Sequence, residues 1–197
     1  MTTLSQNNPF DLRQEKGLAE YDLRHNFTIT YVWDIPFGSH FHGAARQAFY
    51  GWQLNGITTA RTGFPIKIVL PTDVANTGVS GGQRPNLVGK LELPKSQRTV
   101  DMWFNTAALA SPAQFTFGNL GRNVFVGPGA VNFDVGIFKN FPIHERHRIQ
   151  FRAELFNIFN HVNLGQPGAS FGTSTFGKIT GTATDGRDIQ FALRYQF

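Results

Sequence analysis

The chain has 197 residues, with 18 Lys and Arg against 13 Asp and Glu for a formal net charge of +5, and it has no cysteine. No apolar run approaches the roughly 20 residues of a membrane-spanning helix, so any membrane span must be built from strands. Disulfides and thiolate metal sites are excluded, and the Lys and Arg residues are dispersed singly, without the basic cluster expected of a nucleic-acid partner.

Residues 1–23 are polar and irregular and read as an ordered loop leading into the first strand. The opening MTTLSQNNPFDLRQEKG has neither a basic n-region followed by an apolar h-region nor a small-residue cleavage site. Alternation starts at His25–Trp33, where Phe27, Ile29, Tyr31 and Trp33 oppose Asn26, Thr28, Thr30 and Val32. Pro36, Gly38 and Gly43 interrupt it.

A second strand is expected at Tyr50–Thr62, with Trp52, Leu54, Gly56, Thr58 and Ala60 on one side and Gln53, Asn55, Ile57, Thr59 and Arg61 on the other. It either continues as one bent strand to Leu70 or has a β extension at Ile66–Leu70. From Pro71 to Pro128 Gly, Pro, Asn and Ser punctuate the chain and no alternation survives, which reads as a long loop. Within it, DMWFNTAALA is expected to form a short helix with Asp101 as N-cap.

The third strand spans Ala130–Lys139, with Val131, Phe133, Val135 and Ile137 opposing Asn132, Asp134 and Gly136. A short connection, KNFPIHE, leads into a fourth strand, His147–Phe159. There Ile149, Phe151, Ala153 and Leu155 alternate with Arg148, Gln150, Arg152 and Glu154, a charged face that needs water; a helix would scatter those four around its cylinder. A turn-rich loop follows, with FGKIT as a candidate short strand.

The closing strand, Arg187–Phe197, sets Ile189, Phe191, Leu193, Tyr195 and Phe197 against Asp188, Gln190, Ala192, Arg194 and Gln196, over about the 9–11 residues that cross a bilayer at a tilt. The expected fold is all-β: an antiparallel meander of about five long strands, a curved and incomplete segment of a large outer-membrane β-barrel spanning residues 1–197, with long extracellular loops.

The chain resembles the C-terminal barrel portion of TonB-dependent outer-membrane receptors of the Oar-like group, whose members carry a carboxypeptidase-regulatory-like domain. The resemblance is carried by NPFDLRQEKGLAEYDLRHNFTITYVWDIPFG, GWQLNGITTARTGFPIKI, RPNLVGK, WFNTAAL, GNLGRNVFVGPGAVNFDVGIFKNFPI, RIQFRAELFNIFNHVNLGQP, FGKIT and RDIQFALRYQF. It implies a barrel of about 22 strands with a plugged lumen, energised uptake through the TonB system, outer-membrane lipid as solvent, and the barrel-assembly machinery as a partner that reads Phe197. With the C-terminus periplasmic, 34–49 and 140–146 become periplasmic and 63–129 and 160–186 extracellular. The absent signal, plug and remaining strands are expected on a longer polypeptide, so this piece is not expected to transport alone.

Chemistry-bearing clusters are sparse. His40 and His42, or His144, Glu145 and His147, have poor spacing for a metal motif and read as turn residues. Asp34, Ser39 and His40 lack a nucleophile elbow, and GVSGGQ lacks the ending of a phosphate loop. No catalytic residue, metal or cofactor is expected. The candidate substrate-binding residues are Arg148, Gln150, Arg152, Glu154, Gln190 and Arg194, a lumen row suited to an anionic or hydroxyl-rich substrate; the plainer reading is a cross-strand ladder in which Arg148, Arg152 and Arg194 pair with Asp134, Glu154 and Asp188. The competing fold is a glycan-binding β-sandwich of the cell envelope, which requires Phe27, Tyr31, Phe133, Phe151 and Phe191 in a core.

Overall fold

A computed structural model describes residues 6–78, 82–144 and 147–197, with His144 described by its backbone alone. Two compact units make up the chain: residues 25–61, 130–162 and 184–197 in one, and residues 1–24, 62–129 and 163–183 in the other.

The first unit is a five-stranded antiparallel sheet whose strands follow one another in chain order. They are β1 (Asn26–Ile35), β2 (Trp52–Arg61), β3 (Ala130–His144), β4 (His147–Phe156) and β5 (Asp188–Gln196). Among the described residues β1 and β5 are edges, and the sheet does not close on itself.

Register carries the sequence pattern across the whole sheet. Directly opposed residues share a face, and Trp33↔Leu54, Leu54↔Ile137, Ile137↔Ala153 and Ala153↔Phe191 run unbroken from β1 to β5. One face is therefore apolar on every strand. The opposite face carries Asp34↔Gln53 and Asn140↔Gln150↔Arg194, with Phe138 opposite Gln53 as an apolar residue among them. Gly56 makes room on the apolar face, since a Cβ there would lie 2.5 Å from the Tyr31 hydroxyl.

The rings of the apolar face are not packed into a core: Phe27 is 54% exposed, Phe191 69% and Leu193 75%. This overturns the β-sandwich expectation, because a sandwich buries such rows between two sheets.

Strand ends move modestly from the sequence reading. β3 runs on to His144, with a register shift between Pro142 and His144, so the hairpin connection is shorter than KNFPIHE suggested. β4 stops at Phe156 because Asn157 and Asn160 adopt positive φ of 49° and 50°. The Asn157 side chain then organises the turn, accepting from His161 N at 2.8 Å and donating to His161 O at 3.0 Å. The connection between β1 and β2 holds an unforeseen helix, α1 (Gly43–Phe49).

The second unit gathers the segments read as loops around their own core. Ile66, Ile68, Leu91, Phe104, Leu109, Leu120 and Phe125 are buried together. Phe104, fully buried, meets Phe125 and Phe176 edge to face at centroid distances of 5.6 and 5.3 Å. Short pairings brace it, Pro65–Ile66 with Phe125–Val126 and Asn86–Leu87 with Leu109–Ala110. Pro65–Ile66 is thus a separate extension and not a prolongation of β2.

The helix expected from Asp101 does not form; only a single 3₁₀ turn, Thr106–Ala108, appears there. The cause is tertiary, because Trp103 N bonds to Gly177 O at 2.9 Å and Asn105 N to Leu91 O at 2.9 Å, in place of helical partners. FGKIT is likewise no strand, contributing one bridge between Phe176 and Gly168.

A buried polar knot replaces secondary structure in fastening this unit. Arg84, 4% exposed, donates to Leu120 O at 2.8 Å, Gln14 O at 3.0 Å and Glu15 Oε1 at 2.8 Å. Asn7 accepts from Arg84 N at 2.7 Å and donates to Gly118 O at 2.8 Å. Gly118 is required by close approach, since a Cβ there would sit 1.9 Å from Arg84 O.

Candidate functional site

The polar face of the sheet brings all six sequence-selected residues together. Arg148, Gln150, Arg152 and Glu154 alternate along β4 and share its face, and Gln190 and Arg194 lie opposite Glu154 and Gln150 on β5. Arg148, Gln190 and Arg194 are exposed; Gln150, Arg152 and Glu154 are half-buried.

Their partners differ from the expected cross-strand charge ladder. Among the described residues the one ion pair within the set joins Arg152 and Glu154 of the same strand, at 2.7 Å. Alternation places these two on one face two residues apart, so the pair forms along β4 and not across to β3 or β5. The Arg152 guanidinium also lies 4.4 Å from the centroid of the Phe138 ring, a cation–π contact across β3 and β4. Asp134 takes no part in the row: its carboxylate accepts from Asn132 Nδ2 at 2.8 Å and from Asn157 N at 2.9 Å. Arg148 donates to Gln196, and Gln150 donates to Asn140 at 3.0 Å.

The row thus presents two exposed guanidiniums, Arg148 and Arg194, between amide side chains on a pleated surface. Such donors suit carboxylate, phosphate or sugar hydroxyl acceptors.

At one end of this face the sheet opens into a cavity of about 900 Å³. Asp34, Ser39, Arg46, Gln47, Asn140 and Arg148 supply its polar lining. Sequence reasoning missed Arg46 and Gln47 because it missed α1. The signal was there in Ala44, Ala45, Arg46, Gln47 and Ala48, all strong helix formers in an uninterrupted run.

Of the clusters set aside at the sequence level, Asp34 and Ser39 share the cavity with Arg148 of this row. Asp34 accepts from Gln53 Nε2 at 2.7 Å, and Ser39 lines the cavity. His42 stands before α1 without a capping side-chain bond. Glu145 and residues 79–81 of GVSGGQ lie outside the described residues. No three His, Cys, Asp or Glu side chains converge among the described residues. Phe197 follows β5 with its ring 91% exposed, stacked on Tyr195 at 5.8 Å.

In the second unit, two carboxyls are held below their ordinary values. Burial alone would raise Glu15, but hydrogen bonds from the Arg84 side chain and the Asn7 backbone N–H outweigh it. Asp73 is lowered chiefly by the backbone N–H of Thr77.

Residues 2–190 match the family model of an outer membrane beta barrel domain. Comparison with curated proteins and with solved structures gives no match.

Proposed function

The chain belongs to the outer-membrane β-barrel domain family, and from the sequence motifs it carries we propose that it is the C-terminal barrel segment of a TonB-dependent receptor of the Oar-like group, contributing to energised uptake across the outer membrane. The observation that carries the reading is the division of the sheet into one mainly apolar and one mainly polar face over all five strands. Apolar rings meet hydrocarbon, and the Arg148–Arg194 row faces a wet lumen.

Dimensions support it. Ten residues of β1 at about 3.3 Å each give about 33 Å, or about 25 Å along the membrane normal at a tilt of about 40°, the height of an outer-membrane apolar band. The open edges support a larger assembly. Unpaired amides and carbonyls along β1 and β5 have no water to satisfy them in hydrocarbon, so both edges are assigned to further strands of a bigger barrel. The TonB-dependent and Oar-like assignment rests on the sequence motifs quoted above.

In this reading the barrel interior selects an anionic or hydroxyl-rich substrate and does no covalent chemistry.

The test is made in the full-length receptor. An in-frame plug encoded upstream establishes the class. Reversal of charge at Arg148, Arg152 and Arg194 together should then abolish uptake of the substrate while leaving the barrel assembled. Undiminished uptake removes the lumen row from the account.

A further inference from the structure

The connection between β1 and β2 carries a feature that a simple turn does not need. Phe37, Phe41 and Phe49 form a closed triad of edge-to-face rings with centroid distances of 5.5, 5.9 and 5.8 Å. They are 59%, 37% and 49% exposed, so the cluster is held together yet left uncovered. Three large rings in one exposed patch are costly in water and mark an interaction surface.

The place of α1 follows from two tethers. Trp52 belongs to the apolar face, opposite Ile35 and Lys139, and its indole N–H donates to Ala48 O at 2.9 Å. Lys139, on the same face, donates from its ammonium to the Tyr50 carbonyl. Its charged end lies between the Trp52 and Phe141 rings, at 5.4 and 5.2 Å from their centroids. Lys139 is 2% exposed, with its ammonium capped by the Tyr50 carbonyl and enclosed by the two rings, so a cation on the apolar row is covered at the point where the chain passes from α1 into β2.

The helix itself is two-sided. Gly43, Arg46 and Gln47 line the cavity. Ala45 and Phe49, four residues apart, share the other side, where the triad lies.

We propose that α1 and the Phe37–Phe41–Phe49 triad form an interfacial anchor that inserts into the headgroup–acyl boundary of the phospholipid leaflet next to this end of the sheet. The inference rests on the reading of the apolar face as lipid-facing, and the exposed triad lies on the connection that leads into Trp52 of that face. Its depth is that of an amphipathic interfacial element, about 5–10 Å into the boundary. The anchor fixes the rim and holds Arg46 and Gln47 over the cavity mouth.

The chain has no cysteine, so single Phe41→Cys and Phe49→Cys variants accept one fluorescent label each. The full-length receptor that carries this segment, with any cysteine elsewhere in it replaced by serine, is reconstituted in phosphatidylethanolamine–phosphatidylglycerol vesicles, with Phe191→Cys as the apolar-face reference and Ala192→Cys as the polar-face reference. If removing a ring disturbs the turn, the label moves to Ala45→Cys. The expected result is loss of most emission at positions 41, 45 and 49 with headgroup-borne nitroxide, little loss with aqueous iodide, and deep-nitroxide quenching at 191.

Iodide quenching at 41, 45 and 49 with 191 still quenched from the lipid overturns the anchor and leaves the barrel reading standing. Exclusion of both quenchers from the triad also overturns it, since a protein surface then covers the rings. Iodide quenching at 191 as well overturns the lipid-facing reading and the anchor together.

Discussion

Phe151 on β4 and Phe191 on β5 stack across the strand boundary on the apolar face, with ring centroids 6.1 Å apart and planes within 18°. Phe191 is nevertheless 69% exposed, so the pair presents a continuous aromatic surface to its surroundings. In a hydrocarbon solvent that surface is satisfied, and a charge placed in it is not. Phe191→Arg is expected to destabilise the membrane-inserted sheet by about 2–4 kcal/mol, the cost of a cation near the bilayer midplane. Gln190→Arg, one residue before it and facing the other way opposite Glu154, is expected to change stability by no more than about 0.5 kcal/mol. Urea unfolding of the full-length barrel proposed above, from vesicles, measures both.

On the polar face the cost of losing an arginine should depend on its partners. Arg152 is held by Glu154 at 2.7 Å and by the Phe138 ring at 4.4 Å, whereas Arg194 is exposed opposite Gln150. Arg152→Ala is expected to cost about 1–2 kcal/mol through the lost cation–π contact and ion pair. Arg194→Ala should fall within about 0.5 kcal/mol. Equal effects in the same unfolding assay would contradict this partition.

The Arg84–Glu15 pair should make the second unit acid-sensitive. Glu15 is held below its ordinary value of 4.5 by hydrogen bonds from Arg84 and Asn7. A carboxyl lowered in the folded state binds fewer protons there than when unfolded, so its stabilisation is present above the unfolded value and is lost as pH falls through the folded one. Protection of the Leu70 and Trp103 amides, both bonded within this unit, measured against their intrinsic exchange rates, should fall below pH 4.5, and Glu15→Gln should remove that component. Arg84→Ala, which leaves a partly buried carboxylate alone, is expected to cost about 3–5 kcal/mol at neutral pH.

Phe104 should be the most sensitive apolar position of the same unit. It has no exposed surface and touches two other rings edge to face. Phe104→Ala is expected to cost about 3–5 kcal/mol, read as faster exchange at Trp103 and Ile179.

The long strands were legible because one physical signal governs them. Alternation over ten residues fixes which side chains share a face, and the register then joined Leu54, Ile137, Ala153 and Phe191 as their patterns demand. The candidate row on β4 and β5 followed from the same alternation. Its partners did not, because whether Arg152 meets Glu154 along the strand or Asp134 across the sheet depends on side-chain reach. Periodicity says nothing of that. It also failed in the second unit, where Ile66, Leu91, Phe104 and Leu120 reach one core from distant, irregular segments held by bonds such as Arg84 to Leu120 O. Asp101 looked like a cap because local propensity was the only guide, and the bond from Trp103 N to Gly177 O overrode it. Lys139 was assigned to the end of a strand, and nothing in its neighbours showed that Trp52 and Phe141 would enclose it.

The account depends most on which solvent meets each side of β5. A nitroxide placed in turn at residues 189 to 196 of the vesicle-inserted protein reports this through its collisions with oxygen, which concentrates in lipid, and with a nickel chelate, which stays in water. Oxygen-dominated collisions at Ile189, Phe191, Leu193 and Tyr195, alternating with chelate-dominated collisions at Gln190, Ala192, Arg194 and Gln196, are predicted. Chelate access at every position, or protection of the odd positions from both reagents, would contradict it.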